Sequence, residues 1–298
     1  MASGARYVQK LASMRDTTRA GWDQLTDEFA RLASAAAVYV PEGVEYASTL
    51  VGQVPVESFT PPSAQGAVLL VHGGNFLLPT VDAYRTFAQR VAIASGRKVV
   101  LADYCLLPYD ILDALAEVYG VWEWLYAQDD RLCLLGDGSG ANMALLLAQG
   151  LVSEGRHIPR GIALLSPQTD MTCSGHSYYD NYYLDVVYGR RHLGGADIPE
   201  AFMASPMWAY LHGLSPDSPD VSPLWAEMAG LPPCLVTVGS HEVVLDDARR
   251  FAVKASAAGV DVRLLVGEGL FYAYPMMVDR FDEAQAAFDE IAAFLRAH

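Results

Sequence analysis

The sequence has little positive charge. Its 298 residues include 20 Lys and Arg against 35 Asp and Glu, which gives a formal net charge of −15. Nucleic-acid binding requires a basic surface that displaces counterions, so that class of partner is not expected. No stretch approaches the roughly 20 consecutive apolar residues of a membrane span, so we expect no membrane association either. These absences favour a protein whose partner is a small molecule.

Cysteine is also scarce. The four cysteines are scattered and share none of the spacings of a metal site, so we expect neither a metal nor a cofactor. The first 20 residues lack the apolar core of a secretory signal, which predicts a cytoplasmic protein with free thiols. Nothing in the sequence decides between a monomer and a homodimer, and a homodimer is one expected assembly.

Short apolar runs alternate with amphipathic segments through most of the chain. Runs such as 67–71, 98–102 and 132–135 contain continuous apolar residues, and segments of helical periodicity follow them. This order predicts an α/β protein with a mostly parallel sheet covered by helices on both faces.

Two regions interrupt this alternation. We assign residues 1–60 to an N-terminal cap helix and a lead-in strand, and residues 61–298 to the α/β core. Within the core, residues 171–230 are predicted to be a cap or lid insertion over the carboxyl edge of the sheet. The insertion is rich in aromatic residues, which favours an apolar or aromatic ligand. Its candidate ligand-facing residues are Tyr178, Tyr182 and Tyr183.

A glycine stands where the local pattern calls for a serine. Residues 136–140 read Gly-Asp-Gly-Ser-Gly between an apolar run and a predicted helix. This is the setting of a nucleophile elbow, whose pattern G-x-S-x-G places the nucleophilic serine third. Here Gly138 is third and Ser139 follows it. The sequence therefore predicts the elbow without its usual nucleophile.

Four segments that follow predicted strands should meet at one edge of the sheet. They are 72–76 (His-Gly-Gly-Asn-Phe), 136–142, 239–247 and 268–272. Their order and spacing resemble the hormone-sensitive-lipase-like branch of the α/β-hydrolase family. The resemblance runs from about Pro55 to the C-terminus, and it implies the α/β-hydrolase fold.

Members of that family are mostly serine esterases with a Ser–Asp/Glu–His triad. The resemblance places Glu242 at the acid position, Gly138 at the nucleophile and Tyr272 at the histidine. Tyr272 does not replace histidine as a base, because an unperturbed phenol is protonated at pH 7. We therefore expect both the nucleophile and the base to be lost, with Tyr272 oriented by Glu242 and with Asp137 as a further acid–base group.

The family's oxyanion hole consists of backbone N–H groups, which survive side-chain changes. The resemblance assigns these groups to Gly73, Gly74 and Ser139, and Asn75 adds a side-chain amide in place of a third glycine. His72 is expected to be structural.

Three functions are compatible with such a site. We favour a non-hydrolytic enzyme, in which the oxyanion hole promotes elimination, isomerisation or cyclisation of a bulky carbonyl compound in specialised metabolism. The resemblance offers precedent in plant dehydratases and cyclases. The alternative is a non-catalytic pseudo-hydrolase that binds its ligand as a receptor does. The third is a carboxylesterase that uses Ser139.

Overall fold

The fold is an eight-stranded sheet with helices on both faces. The computed structural model describes residues 40–76, 81–106, 109–188, 210–211 and 213–298. The strands lie in the order β1-β2-β4-β3-β5-β6-β7-β8. The pairs β1·β2 and β2·β4 are antiparallel, and the remaining neighbours are parallel. The predicted α/β fold is confirmed.

The elements alternate along the chain as the apolar pattern predicts. The strands are β1 (Glu45–Val51), β2 (Val54–Thr60), β3 (Ala67–Val71), β4 (Lys98–Ala102), β5 (Leu132–Asp137), β6 (Ile162–Leu165), β7 (Cys234–Gly239) and β8 (Val262–Gly267). The helices are α1 (Val81–Ser95), α2 (Ile111–Tyr126), α3 (Ser139–Ser153), α4 (Ser177–Asp180), α5 (Leu245–Ala257) and α6 (Asp282–Ala297).

Successive side chains of the central strands point to opposite faces of the sheet, and both sets are buried. Leu69 packs in a core with α2, α3 and α5, whereas Leu70 packs in a second core with α1 and α6. Both faces are therefore apolar, which explains why the central strands read as continuous hydrophobic runs. The four segments named above follow β3, β5, β7 and β8 at the carboxyl edge of this sheet.

A local sequence signal defines the start of α2. Asp110 caps its N-terminus by accepting hydrogen bonds from the N–H groups of Leu112 and Asp113, both at 2.9 Å. The Asp113 carboxylate accepts in return from the Asp110 N–H, which completes a capping box. The apolar spacing of residues 111–126 predicts a helix over that range, which is the range that the structure shows.

The predicted N-terminal cap helix lies outside the described residues, as does much of the insertion at 171–230. The described part of the insertion contains α4 and the segment that follows it to Tyr188. Within the described ranges, no helix is both long and apolar enough to cross a bilayer.

Candidate active site

Gly138 forms the sharp turn between β5 and α3. Its φ of 53° and ψ of −110° are unfavourable for a residue with a side chain, and glycine adopts them without strain. The helix start also approaches β3 closely, because a Cβ at Gly140 would lie 2.1 Å from the Val71 carbonyl oxygen. The backbone of a nucleophile elbow is therefore present.

The hydroxyl of Tyr272 fills the space that a side chain at position 138 would take. A Cβ built on Gly138 would lie 1.8 Å from the Tyr272 Oη. Tyr272 follows β8, which lies three places from β5 in the sheet, and the residue is partly exposed. A hydroxyl oxygen therefore stands over the elbow, although it belongs to a residue far along the chain.

Asp137 lies directly beneath that hydroxyl. Its carboxylate accepts a short hydrogen bond from the Tyr84 hydroxyl, and the Tyr272 hydroxyl is also within hydrogen-bonding reach. Burial raises the pKa of Asp137 to about 6, and the two tyrosine hydroxyls oppose that rise. Asp137 is therefore a carboxylate near neutral pH whose pKa lies in the range useful for proton transfer.

A second tyrosine holds Tyr272 from the other side. The Tyr188 ring packs edge-on against the Tyr272 ring, with centroids 5.0 Å apart. The two hydroxyls lie within hydrogen-bonding reach, and the Tyr188 hydroxyl donates to the Asn75 Oδ1 at 3.0 Å. Burial raises the pKa of Tyr272 well above its ordinary value, and the neighbouring Asp137 raises it further. Tyr272 is therefore protonated until a base removes its proton.

The predicted oxyanion donors are not equivalent. The Gly73 N–H donates to the Tyr84 Oη at 3.0 Å, so it already has an acceptor. The Ser139 N–H opens α3 and has no acceptor within its own helix. Gly74 and Asn75 are partly exposed beside it. The geometry thus favours Ser139 and Gly74 as donors to a bound carbonyl oxygen, with Gly73 in a supporting role.

The side chains of Ser139 and His72 point into the protein. The Ser139 side chain is buried next to the Tyr104 hydroxyl. The His72 ring stacks on the Tyr104 ring with centroids 4.4 Å apart, and its Nδ1 lies 2.7 Å from the Gly73 carbonyl oxygen. Burial lowers the pKa of His72 to about 4, so the ring is neutral at pH 7. These contacts support a structural role for His72.

Glu242 lies at the acid position but does not orient Tyr272. Its Oε1 accepts a short hydrogen bond from the Gly239 N–H and a 3.0 Å bond from the Ser166 Oγ. Among the described residues its Oε2 has no partner, and burial raises its pKa well above the ordinary value. The expectation that Glu242 is the acceptor for Tyr272 is corrected, because Asp137 and Tyr188 take that place.

The three predicted lid tyrosines lie in different environments. Tyr178 is buried with its hydroxyl 3.4 Å from the Asp247 carboxylate, and Tyr182 is also buried. Tyr183 is 46% exposed and packs edge-on against the Tyr182 ring. The described residue of this insertion that reaches the site is instead Tyr188.

Sequence reasoning missed two residues of the site. Tyr84 lies on α1, and no local motif distinguishes it from other buried helix residues. Tyr188 belongs to the aromatic insertion, which is a signal for the region but not for the individual residue. No cluster of three or more potential metal ligands occurs in the part of the chain that the structure describes.

Comparison with known proteins now decides the family. Residues 68–276 match a family model described as the alpha/beta hydrolase fold. A protein named esterase from Acinetobacter venetianus is 32% identical over 78% of this chain and 75% of its own length. The chain belongs to the α/β-hydrolase fold family. An acetyl-hydrolase from Streptomyces hygroscopicus is 29% identical, over 83% of this chain and 81% of the relative.

Solved structures agree with this assignment. An esterase from the bacterial hormone-sensitive lipase family superposes with a TM-score of 0.83 at 27% identity, over 98% of this chain and 96% of that chain. An esterase/lipase from an uncultured bacterium gives a TM-score of 0.79 at 25% identity, over 91% and 90%. The chain is therefore a member of the hormone-sensitive-lipase-like branch.

These relatives overturn the function predicted from the sequence. The expectation of a non-hydrolytic lyase, isomerase or cyclase, or of a receptor-like pseudo-hydrolase, is wrong. The relatives are named esterases and acetyl-hydrolases, which points to the hydrolysis of esters. That expectation rested on the loss of both the nucleophilic serine and the histidine base. The fold places another hydroxyl, that of Tyr272, where the serine side chain would begin.

Proposed function

We propose that this protein is an ester hydrolase in which Tyr272 takes the place of the serine nucleophile. The observation that carries the proposal is the position of the Tyr272 Oη, 1.8 Å from where a Cβ of residue 138 would lie. In this proposal the serine and histidine of the family's triad are replaced by Gly138 and Tyr272. The esterase and acetyl-hydrolase names of the relatives support hydrolysis.

The proposed substrate is an ester with a short acyl group and an apolar or aromatic alcohol. The acyl carbonyl oxygen accepts hydrogen bonds from the N–H groups of Ser139 and Gly74. This arrangement puts the carbonyl carbon next to the Tyr272 hydroxyl. The acetyl-hydrolases among the relatives favour an acetyl group. The aromatic surroundings favour an apolar alcohol portion.

Acylation begins when the Asp137 carboxylate takes the proton of the Tyr272 hydroxyl. The phenolic oxygen attacks the ester carbonyl carbon, and the negative charge moves to the carbonyl oxygen, where the two N–H groups stabilise it. When the tetrahedral intermediate collapses, the alcohol leaves with the proton from Asp137. The product is an acyl ester of Tyr272 and a free alcohol. Asp137 acts first as a base and then as an acid, as histidine does in a serine esterase.

Deacylation repeats these steps with water. Asp137 removes a proton from water, hydroxide attacks the acyl ester, and the Tyr272 oxygen leaves as phenolate and recovers the proton. A phenol with an unperturbed pKa near 10 is a better leaving group than an aliphatic alcohol, and burial, which raises the pKa of Tyr272, reduces that advantage. Removal of the phenolic proton is costly for the same reason, so formation of the acyl-tyrosine from an alkyl ester is the difficult step. Aryl esters should accordingly be turned over faster than alkyl esters of the same acid.

Turnover of p-nitrophenyl acetate tests this proposal. Tyr272→Phe should lower kcat/KM by about a thousandfold or more, the scale on which loss of a nucleophile acts. Tyr183→Phe is the control, because it removes the hydroxyl of an exposed tyrosine that lies outside the proposed site. Ser139→Ala keeps the backbone donor and should have little effect.

Mass spectrometry of acid-quenched enzyme identifies the acylated residue. An acetyl group on the peptide that contains Tyr272 is the expected result. Full activity in Tyr272→Phe would refute the role of this hydroxyl. Loss of activity in Ser139→Ala, with an adduct on Ser139, would assign the nucleophile to that serine. Loss of turnover in Tyr272→Phe without any acyl-tyrosine in the wild type would make Tyr272 a proton donor.

A further inference from the structure

A second cavity lies at the opposite edge of the sheet from Tyr272. It is open, has a volume of about 460 Å³, and lies where β3 and β4 begin. Two arginine residues, Arg97 and Arg296, line it. The other lining residues are Ser63, Gln65, Ile93, Ala94, Ser95 and Gly96. No step of the proposed hydrolysis uses these residues.

Arg97 is buried at this cavity, and it forms no salt bridge with any of the described residues. The residue is 6% exposed, and its Nε is buried with no hydrogen-bond partner among the described residues. One terminal nitrogen donates to the Arg131 carbonyl oxygen at 2.9 Å. A buried charge is costly unless an opposite charge and hydrogen bonds compensate it. One backbone acceptor and the charge of the nearby Asp129, whose pKa Arg97 helps to lower, compensate this guanidinium in part.

The carboxylate near Arg97 is that of Asp129, and it already pairs with Arg131. Asp129 accepts from the backbone and side chain of Arg131, with both of its oxygens engaged at 2.9–3.1 Å. The hydrogen bonds from Arg131 lower the pKa of Asp129, so it remains ionised in that pair. Arg296 reaches the cavity from the last turn of α6 and donates to the Ala94 carbonyl oxygen. Two arginine residues therefore line one cavity, and neither forms a salt bridge with another residue that the structure describes.

We propose that this cavity binds a phosphate-type oxyanion between Arg97 and Arg296. Guanidinium groups present several N–H donors in a fixed plane, which suits a ligand with several charged oxygens. The chain as a whole carries a net charge of −15, so its overall field repels anions. Retention of an anion therefore depends on these two local groups. The ligand is either inorganic phosphate or the phosphoryl group of a small metabolite.

Isothermal titration calorimetry and thermal unfolding, each with inorganic phosphate, test the site. The buffer is kept at constant ionic strength with chloride, so that general screening does not change. Phenyl phosphate is titrated separately, to distinguish free phosphate from a phosphomonoester. We expect saturable binding and a saturable rise in Tm. Arg296→Gln should weaken binding about tenfold or more, because it removes one charged donor.

Arg263→Gln is the matched control, since Arg263 pairs with Glu290 on the surface and lies outside the cavity. It should bind phosphate as the wild type does. Arg97→Gln tests the buried partner, and Arg296→Gln decides the question where Arg97→Gln fails to fold. Absence of saturable binding would overturn the proposal. Equal affinity in Arg296→Gln and the wild type would overturn it as well.

Discussion

At the scale of single residues, the proposed mechanism gives Asp137 the role that histidine has in serine esterases. Asp137 is buried within reach of the Tyr272 hydroxyl and is held by the Tyr84 hydroxyl, which also accepts from the Gly73 N–H. One helix residue, Tyr84, therefore connects the proposed base with the glycine turn of the proposed oxyanion hole. The protonation of Asp137 should control the reaction.

The pH dependence of hydrolysis follows from this arrangement. Asp137 is a base only when ionised, and burial raises its pKa to about 6. kcat/KM for p-nitrophenyl acetate should therefore rise with pH through a single ionisation near 6 and then level off. The hydrogen bond from Tyr84 lowers the pKa of Asp137, so Tyr84→Phe should move the midpoint to higher pH. Tyr183→Phe should leave it in place. A midpoint that stays or falls in Tyr84→Phe would contradict this role of Asp137.

At the scale of secondary-structure elements, the candidate site lies where two turns meet. The turn from β5 to α3 contains Gly138, and the turn after β8 contains Tyr272. A side chain on the first turn and a hydroxyl on the second would occupy the same space. The two positions are therefore coupled, and each restricts the other.

Gly138→Ala should be strongly destabilising and inactive. The new Cβ would meet the Tyr272 Oη at 1.8 Å and would also impose a side chain on a φ of +53°. We expect a loss of about 2–4 kcal/mol in unfolding free energy, from overpacking and backbone strain together. In a Tyr272→Phe background the loss should be smaller by about 1 kcal/mol or more. Denaturant titration of the four proteins measures this coupling, and additive effects would show that the contact is absent.

Much of this architecture was predictable from the sequence because it depends on local patterns. The apolar runs predict the central strands, and α2 is predicted with its observed bounds, since apolar spacing and Asp110 are both local signals. Strand β1 was missed, because most of its residues are exposed and its polar pattern is weak. The contacts of Tyr272 were predicted in part only. Its position follows from the motif, whereas its partners Asp137 and Tyr188 depend on how distant segments pack.

Buried carboxyl groups shape the stability of the whole molecule. Glu242 and Asp247 are both buried, and burial raises the pKa of each, that of Asp247 to about 8. In the unfolded chain such groups ionise near pH 4. Folding therefore keeps them protonated at pH values where the unfolded chain has lost those protons. These groups burden the fold least when they are protonated. Their full contribution to the unfolding free energy is therefore present below about pH 4, and it is lost as the pH rises through the folded pKa.

Thermal stability should accordingly fall between about pH 4 and 8, the interval between the unfolded and folded pKa of Asp247. The expected loss is on the order of 1–3 kcal/mol, or roughly 2–8 °C in Tm. Asp247→Asn should flatten this slope, because an amide does not titrate. The fold should tolerate this change, since the side-chain oxygen still accepts from the N–H groups of Thr169 and Asp170. Asp261→Asn, at an exposed position, is the control and should keep the slope. A Tm that rises with pH in the wild type would contradict this account.

The position of the Tyr272 hydroxyl has an optical consequence. Serine absorbs no near-ultraviolet light, so the acylation of a serine esterase is usually followed through its substrate. In the proposed mechanism the reacting oxygen belongs to a chromophore, and conversion of a phenol into its ester changes the absorbance of the ring. A difference spectrum of the wild type against Tyr272→Phe would cancel the other 15 of the 16 tyrosines. The enzyme would thus report its own covalent state, even with a substrate that has no colour.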